Sequence, residues 1–344
     1  MKALKYSDIC LIPNYSEVHS RVDCNPSVNL FGKKFLLPII PANMKSVIDI
    51  STCEWMSSHG FFYIMHRFDR DLAEDVANSQ DWDNISFSVG VKAPDKMAIQ
   101  KISKRGHRID YLTIDIAHGH CKRMKIMIEW IKKHLPDAKI IAGNVATPDA
   151  VADLSAWGAD IIKVGIGQGS PCTTKDKTGF TMPMFTCVKK CANVSFNLED
   201  GFMISDASLE KITLKAKIFS KDFDIPKKIP IIADGGIKNN GDIAKALVAG
   251  ASMVMAGSLF ASCTDSPAST ININGANHKA YFGSASAENK GHNNNIEGTL
   301  NKIPNNGMTY GEKLNEITQD LQSSISYSGG ESLDSFKDVR YIQL

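Results

Sequence analysis

Eight short apolar runs, rich in Ile and Val, recur along this chain of 344 residues. Helix-like segments separate the runs, which is the alternation expected of strand–helix units around a parallel sheet. The runs cover residues 36–41, 60–66, 85–91, 110–116, 138–144, 159–166, 229–235 and 251–257. Continuously apolar runs fit strands that are buried on both faces, and eight of them favour a closed barrel over an open sheet. The sequence therefore predicts an α/β protein with a (β/α)8 (TIM) barrel.

The length suits one large α/β domain, and no interdomain linker is visible, so we predict a single barrel domain over residues 1–344. Residues 263–308 are rich in Asn, Gly and Ser, and they predict a mobile flap after strand eight. The connection between strands six and seven is longer than the others, and residues from about 193 to 228 are interpreted as an insertion. Residues 1–35 precede the first strand, and we expect them to cover the bottom or side of the barrel.

Two helix starts can be predicted from capping residues. Thr147 is followed by Pro148, and this order predicts a helix that begins directly after the threonine. Thr309 and Glu312 have the spacing of a capping box, which predicts a second helix running to about Ser324.

Charge and cysteine content exclude several classes of protein. The chain carries 39 basic and 37 acidic residues, a formal net charge of +2 with no long block of like charge, so nucleic acid is not predicted as a partner. No apolar run approaches the roughly 20 residues of a membrane span, and the first residues lack an apolar signal core, so no membrane association is expected. The eight cysteines have no disulfide-like spacing, which predicts reduced thiols and a cytoplasmic protein.

Polar residues and glycines follow each predicted strand. The reactive groups of a barrel lie at the carboxyl ends of its strands, because the strand-to-helix loops converge there. Asp234, Gly235 and Gly236 follow strand seven, and Gly257 and Ser258 follow strand eight, where such barrels commonly hold a phosphate. Asp234 is in addition a candidate acceptor for ribose hydroxyls. Ordinary tight turns are the alternative interpretation of these glycines.

The glycine-rich segment 165–174 contains the strongest chemical signal, and we call it the cysteine loop. It lacks the Gly-Lys-Ser/Thr ending of a P-loop. Cys172 follows the glycines, where exposed backbone dipoles stabilise a thiolate, and Thr174 is close enough in sequence to relay a proton. Cys172 is therefore the candidate nucleophile, against the alternative of a flexible loop with an incidental thiol. Asp115 and Arg67 end two other strands and are candidates for holding a ligand, although Arg67 also fits a solvated loop cation.

At these positions the chain resembles the IMP dehydrogenase and GMP reductase family over nearly its whole length. The motifs that carry the resemblance are Pro41-Ala42-Asn43-Met44, Ile114-Asp115-Ile116-Ala117-His118-Gly119, Ala142-Gly143-Asn144-Val145, Lys163-Val164-Gly165-Ile166-Gly167, the cysteine loop, Ala233-Asp234-Gly235-Gly236-Ile237, Tyr281-Phe282-Gly283-Ser284-Ala285-Ser286 and Glu297-Gly298. Within the family, the chain is similar to the short bacterial reductases, notably in the segment Asp320-Leu321-Gln322-Ser323-Ser324-Ile325-Ser326-Tyr327.

The resemblance implies a covalent reaction at the purine ring of GMP. It implies that Cys172 forms a thioimidate at C2, that Thr174 and Glu297 handle the proton for departing ammonia, and that NADPH then reduces C2 to give IMP. A covalent intermediate is advantageous because it divides the displacement of an amine into two easier steps. The implied role is purine nucleotide interconversion and salvage.

The resemblance also implies three sets of binding residues. The substrate set is Ser170, Asp234, Gly235, Gly236, Gly257, Ser258, Gly283, Ser284 and Ala285. The cofactor set is Ser20, Arg21, Arg67, Asp115, Ile116, Ala117, Ile166, Gly167, Ser323, Ser324, Ile325 and Ser326, of which the last four are expected to reach a neighbour's site. The backbone carbonyls of Gly167, Gly169 and Cys172 match a potassium site. Because the family forms tetramers, a homotetramer is expected.

The chain departs from the family pattern at four positions near the site. Gln168 and Pro171 replace the usual proline and small apolar residue, Lys175 stands where reductases often have Arg, and Thr299 stands where Lys is usual. Two alternatives stay open: an IMP dehydrogenase without its regulatory insert, and an inactive nucleotide-binding regulator. In the family's dehydrogenases an Arg–Tyr pair on the flap activates water, and residues 282–309 contain neither Arg nor Tyr, which favours the reductase.

Overall fold

The computed structural model describes residues 3–194 and 229–344. The strands in this part of the chain are β1 (Ile9–Leu11), β2 (Val28–Leu30), β3 (Lys33–Phe35), β4 (Ile39–Pro41), β5 (Ser86–Val89), β6 (Tyr111–Asp115), β7 (Lys139–Val145), β8 (Ile161–Val164), β9 (Ile231–Asp234), β10 (Met253–Ala256), β11 (Thr270–Ile273), β12 (Ala276–Phe282), β13 (Leu300–Pro304) and β14 (Tyr341–Gln343). The helices are α1 (Ile50–Ser58), α2 (Leu72–Asn78), α3 (Ala93–Arg105), α4 (Lys122–His134), α5 (Pro148–Ala156), α6 (Thr174–Thr178), α7 (Met184–Val194), α8 (Asn240–Val248), α9 (Ser258–Ala261), α10 (Ala287–Lys290) and α11 (Tyr310–Ser328). Apart from the end of α7, the insertion predicted at about 193–228 lies outside the described residues.

Seven parallel strands form the central sheet, in the order β4-β10-β9-β8-β7-β6-β5. Every residue of β5, β8 and β10 is buried, as expected for strands covered on both faces. The surrounding helices turn an apolar stripe inward: α4 buries Met124, Met127, Ile128 and Ile131, which recur at helical spacing. The predicted (β/α)8-barrel class is therefore confirmed, together with seven of its eight strand positions.

The second predicted strand, residues 60–66, is not a regular strand, and this part of the prediction is wrong. The segment nevertheless lies in the gap between β4 and β5. At one end the Leu36 N–H donates to the Gly60 carbonyl at 3.0 Å, and at the other the Met65 N–H donates to the Ser86 carbonyl at 3.1 Å. The barrel wall is closed here by isolated hydrogen bonds.

The backbone of this segment forms an isolated parallel bridge to β5, between Met65 and Phe87, in place of a ladder. Side chains add further contacts to the same neighbour. The Tyr63 hydroxyl donates to the Asn84 carbonyl at 2.6 Å, and the Ser88 hydroxyl donates to the Met65 carbonyl at 2.6 Å. The apolar run alone did not reveal this irregular pairing.

Both predicted helix starts are confirmed. The Thr147 side chain caps α5, of which Pro148 is the first residue. Thr309 and Glu312 form a reciprocal capping box at the start of α11. This helix continues to Ser328, four residues beyond the predicted end, and it packs along the outside of the barrel. Among the described helices, none is long and apolar enough to cross a membrane.

The predicted flap, residues 263–308, contains an antiparallel sheet of β11, β12 and β13 that the sequence analysis missed. Its outer strands alternate exposed and half-buried residues, so their composition resembles that of a loop. At the base of the flap, the buried Lys279 ammonium donates to the carbonyls of Thr264 at 2.8 Å, Ser266 at 3.3 Å and Ala268 at 3.2 Å. The mobility of the flap stays a prediction.

The residues before β4 take two different positions. The β2–β3 hairpin lies at the amino end of β6, where the Tyr111 hydroxyl donates to the Leu30 carbonyl at 3.3 Å. This agrees with the expected cover at the bottom of the barrel. Residues 5–7, in contrast, line a cavity at the carboxyl ends of the strands, so the expectation for residues 1–35 is wrong for this part.

Candidate active site

A cavity of about 1050 Å³ opens at the carboxyl ends of the barrel strands. Its volume is at the upper end of the range for small-molecule sites, about 300–1,000 Å³, which leaves room for a second ligand beside a nucleotide. Most residues predicted for catalysis and binding line it. They are Cys172, Thr174, Glu297, Ser170, Asp234, Gly235, Gly236, Gly257, Ser258, Gly283, Ser284, Ala285, Arg67, Asp115, Ile116, Ala117, Ile166, Gly167 and Gly169.

The other residues predicted for the cofactor lie away from the cavity, and one of them, Ile325, is buried in the core. Ser20 and Arg21 are at the start of a short 3-10 helix, where the Arg21 guanidinium donates to the Tyr327 hydroxyl at 3.2 Å. The predicted residues 323–326 belong to α11, as does Tyr327. None of them lines the cavity of their own chain.

Cys172 begins a chain of three hydrogen-bonded side chains. The Cys172 thiol donates to Thr174 Oγ1 at 3.2 Å, and the Thr174 hydroxyl donates to Glu297 Oε2 at 2.7 Å. The thiol is neither fully buried nor fully exposed, so a ligand in the cavity has access to it. A nucleophile linked through a hydroxyl to a carboxylate is an arrangement that can accept and return a proton.

The flap is paired with the cysteine loop through a short antiparallel bridge. The Thr173 N–H donates to the Glu297 carbonyl at 2.9 Å, and the Thr299 N–H donates to the Pro171 carbonyl at 2.8 Å. The Glu297 carboxylate is therefore positioned by backbone pairing as well as by its own hydrogen bond. Pro171 and Thr299 are two of the family departures, and the Thr299 hydroxyl adds side-chain hydrogen bonds to the Pro171 carbonyl at 3.5 Å and to Asn301 Oδ1 at 3.3 Å.

A buried lysine on β8 joins two carboxylates predicted to bind ligands. Lys163, whose side chain is 3% exposed, places Nζ 2.8 Å from Asp115 Oδ1 and 2.7 Å from Asp234 Oδ2. Burial acts to lower the pKa of Lys163, but the two carboxylates outweigh it and raise that pKa above its usual value. Burial acts to raise the pKa of Asp115, but Lys163 outweighs it and lowers that pKa. The lysine and Asp115 are therefore both charged at neutral pH.

Two further residues support this ion cluster. Asn144 Nδ2 donates to Asp234 Oδ2 at 2.9 Å and to the Gly165 carbonyl at 2.7 Å. Gly143 allows the strands to approach, because a Cβ there would lie 2.7 Å from Lys163 Cβ. Asn144 and Lys163 belong to motifs that carry the family resemblance, but no role was predicted for either residue. The sequence feature that could have indicated a role for Lys163 is its position inside an otherwise apolar strand.

The predicted phosphate end of the cavity contains another residue without a predicted role, Tyr281. A Cβ at Gly257 would overlap the Tyr281 hydroxyl, so glycine is required for the phenol to take this position. Burial raises the pKa of Tyr281 well above its usual value, so its hydroxyl stays protonated at neutral pH and can donate a hydrogen bond. The Gly236 N–H, which we expected to face a phosphate, donates instead to the Gln168 carbonyl at 3.1 Å.

The three carbonyls predicted to bind potassium belong to one turn of the cysteine loop. Gly167 has φ +75°, and the Gly169 carbonyl accepts from the Cys172 N–H at 3.0 Å. The turn is supported from the side by Thr181, whose hydroxyl donates to the Ile166 carbonyl at 2.9 Å. Neutral carbonyl oxygens are suitable ligands for a large alkali cation, so the donor set fits potassium.

Comparisons with known proteins define the class of this barrel and its cysteine site. The profile of the IMP dehydrogenase / GMP reductase domain matches residues 3–220 and 213–344. The chain therefore belongs to the IMP dehydrogenase / GMP reductase family.

Individual relatives are similar along their whole length. A protein of Delftia acidovorans (strain DSM 14801 / SPH-1) is 43% identical over 347 residues, which cover 100% of this chain and 97% of the relative. A protein of Paracidovorax citrulli (strain AAC00-1) is 42% identical with the same coverage. A protein of Oenococcus oeni (strain ATCC BAA-331 / PSU-1) is 43% identical over 344 residues, 99% of this chain and 97% of the relative. All three are named GMP reductase.

Proposed function

We propose that this protein is a GMP reductase, which converts GMP to IMP and ammonia at the expense of NADPH in purine nucleotide interconversion and salvage. The names of the relatives support this proposal. The observation that carries it is the hydrogen-bonded chain from Cys172 through Thr174 to Glu297. It offers a nucleophile and a proton acceptor in the same cavity.

The first chemical step uses these three side chains. The Cys172 thiol gives its proton through Thr174 to Glu297, and Sγ forms a bond to C2 of the purine. Glu297 then returns a proton to the 2-amino group, the C2–N bond breaks, and ammonia leaves a thioimidate on Cys172. NADPH, when bound, supplies the hydride equivalent that reduces C2. The Cys172 thiolate departs as the leaving group, which yields IMP and regenerates the nucleophile.

Several cavity residues are proposed to bind and orient the reactants. Asp234 accepts hydrogen bonds from the ribose hydroxyls of GMP, and Gly257, Ser258 and Tyr281 lie where its phosphate is expected. Arg67, Asp115, Ile116 and Ala117 form the wall proposed for NADPH, where the Arg67 guanidinium donates to the Asp115 carbonyl at 3.1 Å. The carbonyls of Gly167, Gly169 and Cys172 are proposed to hold potassium and so to stabilise the cysteine loop.

An absorbance assay distinguishes this proposal from its two alternatives. We expect GMP-dependent oxidation of NADPH with release of ammonia, and no sustained production of XMP from IMP and NAD. The sequence reason is that residues 282–309 contain neither Arg nor Tyr to activate water. Steady XMP formation at a comparable rate would identify a dehydrogenase, and inactivity with both substrate pairs would identify a regulator.

A homotetramer and a cytoplasmic location are also proposed. Tyr15, 84% exposed, and Tyr327, 57% exposed, lie close together because the Asn14 N–H donates to the Tyr327 carbonyl at 3.0 Å. This exposed aromatic surface adjoins the predicted cofactor residues 323–326, which supports contact with another subunit. All eight cysteines are free thiols, which supports a reducing compartment. Light scattering at several protein concentrations tests the assembly, and a monomer would contradict it.

A further inference from the structure

We propose that Lys163 is a positioning residue that links the nucleotide half of the cavity to its cofactor half. The inference rests on the proposed function only where it assigns Asp234 to GMP and Asp115 to NADPH. Lys163 itself is needed by no chemical step of the proposed reaction. Its position between the two carboxylates is what suggests a role in ligand binding.

The geometry places one ammonium between two separate walls of the cavity. Lys163 extends from β8, Asp115 ends β6, and Asp234 ends β9. Both N–O distances are below 3 Å, at 2.8 Å to Asp115 and 2.7 Å to Asp234. A single group with three donors therefore holds both carboxylates at once.

Lys163 also decides which oxygen of Asp234 faces a ligand. Asp234 Oδ2 accepts from Lys163 Nζ and from Asn144 Nδ2. Within residues 3–194 and 229–344, Asp234 Oδ1 accepts no hydrogen bond. This carboxylate is 21% exposed and lines the cavity, so Oδ1 is the oxygen available to a hydroxyl of the nucleotide.

The charges show why the two carboxylates depend on each other. Asp115 and Asp234 carry two negative charges, of which Lys163 compensates one, and Arg67 adds a second positive charge beside Asp115. When a ligand fixes Asp234, the shared ammonium loses freedom, and Asp115 is fixed through the same atom. Binding at either half then favours binding at the other, and this effect is reciprocal.

The packing of β8 does not account for a lysine here. The other residues of β8 are Ile161, Ile162 and Val164, all buried. Lys163 is needed because Asp115 and Asp234 would otherwise face each other without a compensating charge, and both carboxylates line the cavity. The ion cluster is therefore better explained by what it does for ligands.

The test measures ligand binding without turnover, using GMP with NADP+, a pair that cannot react. In the wild-type protein, calorimetry is expected to show that saturating GMP tightens NADP+ binding by about fivefold or more. In Lys163→Met, both dissociation constants are expected to rise by about tenfold or more, and the mutual effect is expected to disappear. A folded Lys163→Met protein that keeps both affinities or the mutual effect would overturn the proposal.

The control is Lys132→Met, which removes another lysine–aspartate pair, with Asp160 at 3.1 Å, outside the cavity. It is expected to leave both affinities and the mutual effect unchanged, and the same losses in this variant would overturn the specific role of Lys163. If Lys163→Met does not fold, Asp234→Asn decides the question. Asp234→Asn is expected to weaken NADP+ binding measured without GMP, because the effect passes through Lys163 to Asp115. A change below about twofold in that measurement would overturn the proposal.

Failure of the proposed function has a different signature. A wild-type protein that neither binds GMP nor oxidises NADPH would contradict the reductase activity itself. An active wild-type protein with no mutual effect between GMP and NADP+ would contradict only the role of Lys163.

Discussion

The Thr174 hydroxyl donates a hydrogen bond of 2.7 Å to Glu297 Oε2, joining the cysteine loop to a flap residue 123 positions further along the chain. The Cys172 thiol contacts the same Thr174 oxygen. The proposed proton acceptor is thus located on a segment that follows the last barrel strand, whereas the proposed nucleophile follows β8.

Replacing the nucleophile should separate chemistry from binding. In Cys172→Ser we expect kcat to fall by at least about 10³-fold, because the hydroxyl is a far weaker nucleophile than the thiolate. The dissociation constant of GMP should change by less than about threefold, since its proposed ribose and phosphate contacts lie elsewhere. Calorimetry and steady-state assays check the two values. Cys121→Ser, at another half-buried cysteine outside the cavity, serves as control. A comparable loss of affinity and activity in Cys172→Ser would argue against covalent catalysis.

Removing the Glu297 carboxylate, at the end of the hydrogen-bonded chain from Cys172, should lower kcat and leave GMP binding unchanged. Glu297→Gln keeps the shape of the side chain but cannot accept the proton, and we expect kcat to fall by about 10²-fold or more. Glu288→Gln changes an exposed glutamate of the same flap and should keep wild-type kcat. A Glu297→Gln enzyme with normal kcat would assign the proton transfer to another group.

Folding stability should depend on pH through His66. Burial, followed by the nearby Arg70 and Lys45, lowers the pKa of His66 to about 4. The unfolded chain binds a proton near pH 6.5, so folding loses stability as the pH falls from 6.5 towards 4. We expect this residue to contribute a loss of about 2 kcal/mol between pH 7 and pH 5.

The measurement is urea unfolding of wild type and His66→Asn at both pH values. Asparagine keeps an acceptor for the Phe68 N–H, which contacts His66 Nδ1 at 3.3 Å. The wild-type loss should exceed that of His66→Asn by about 2 kcal/mol, and an exposed control, His19→Asn, should reproduce the wild-type loss. Equal losses in wild type and His66→Asn would contradict the prediction.

The base of the flap should depend on a buried ammonium. Lys279→Met removes the donor shared by the carbonyls of Thr264, Ser266 and Ala268, and we expect the free energy of unfolding to fall by about 2–4 kcal/mol. Lys302→Met, on the neighbouring strand β13 but exposed, should change it by less than about 0.5 kcal/mol. Urea unfolding gives both values, and similar effects of the two substitutions would assign no special role to Lys279.

Local patterns were sufficient for much of the barrel, and their failures have physical causes. Continuous runs such as that of β8 predicted buried parallel strands, because both faces of these strands are covered. At residues 60–66 the same pattern failed, because burial of the run does not require a ladder: the backbone forms an isolated bridge between Met65 and Phe87, and the Tyr63 and Ser88 hydroxyls add side-chain hydrogen bonds. The flap sheet was missed because its two outer strands alternate exposed and half-buried residues, with a composition that is also typical of loops.

The candidate site, like the fold, could be predicted only in part from the sequence. Cys172 and Thr174 are two positions apart, so their proximity was visible in the sequence. The role of Glu297 was inferred only from family resemblance, since nothing local indicates its contact with Thr174. The proposed role of Lys163 was not predicted, because its partners come from two other strands, β6 and β9, which strand pairing within the sheet brings close to β8.

The antiparallel bridge between the flap and the cysteine loop has a consequence for the rate of the whole cycle. Separating the two segments breaks two backbone hydrogen bonds and the Thr174–Glu297 hydrogen bond, each with a net contribution of about 1 kcal/mol or more, so a separated form would be populated at roughly 1% or less. In the proposed reaction, ammonia formed beneath the paired segments leaves, and the next nucleotide enters, when they separate. We therefore expect product release to limit turnover, and the measured rate to fall as solvent viscosity rises.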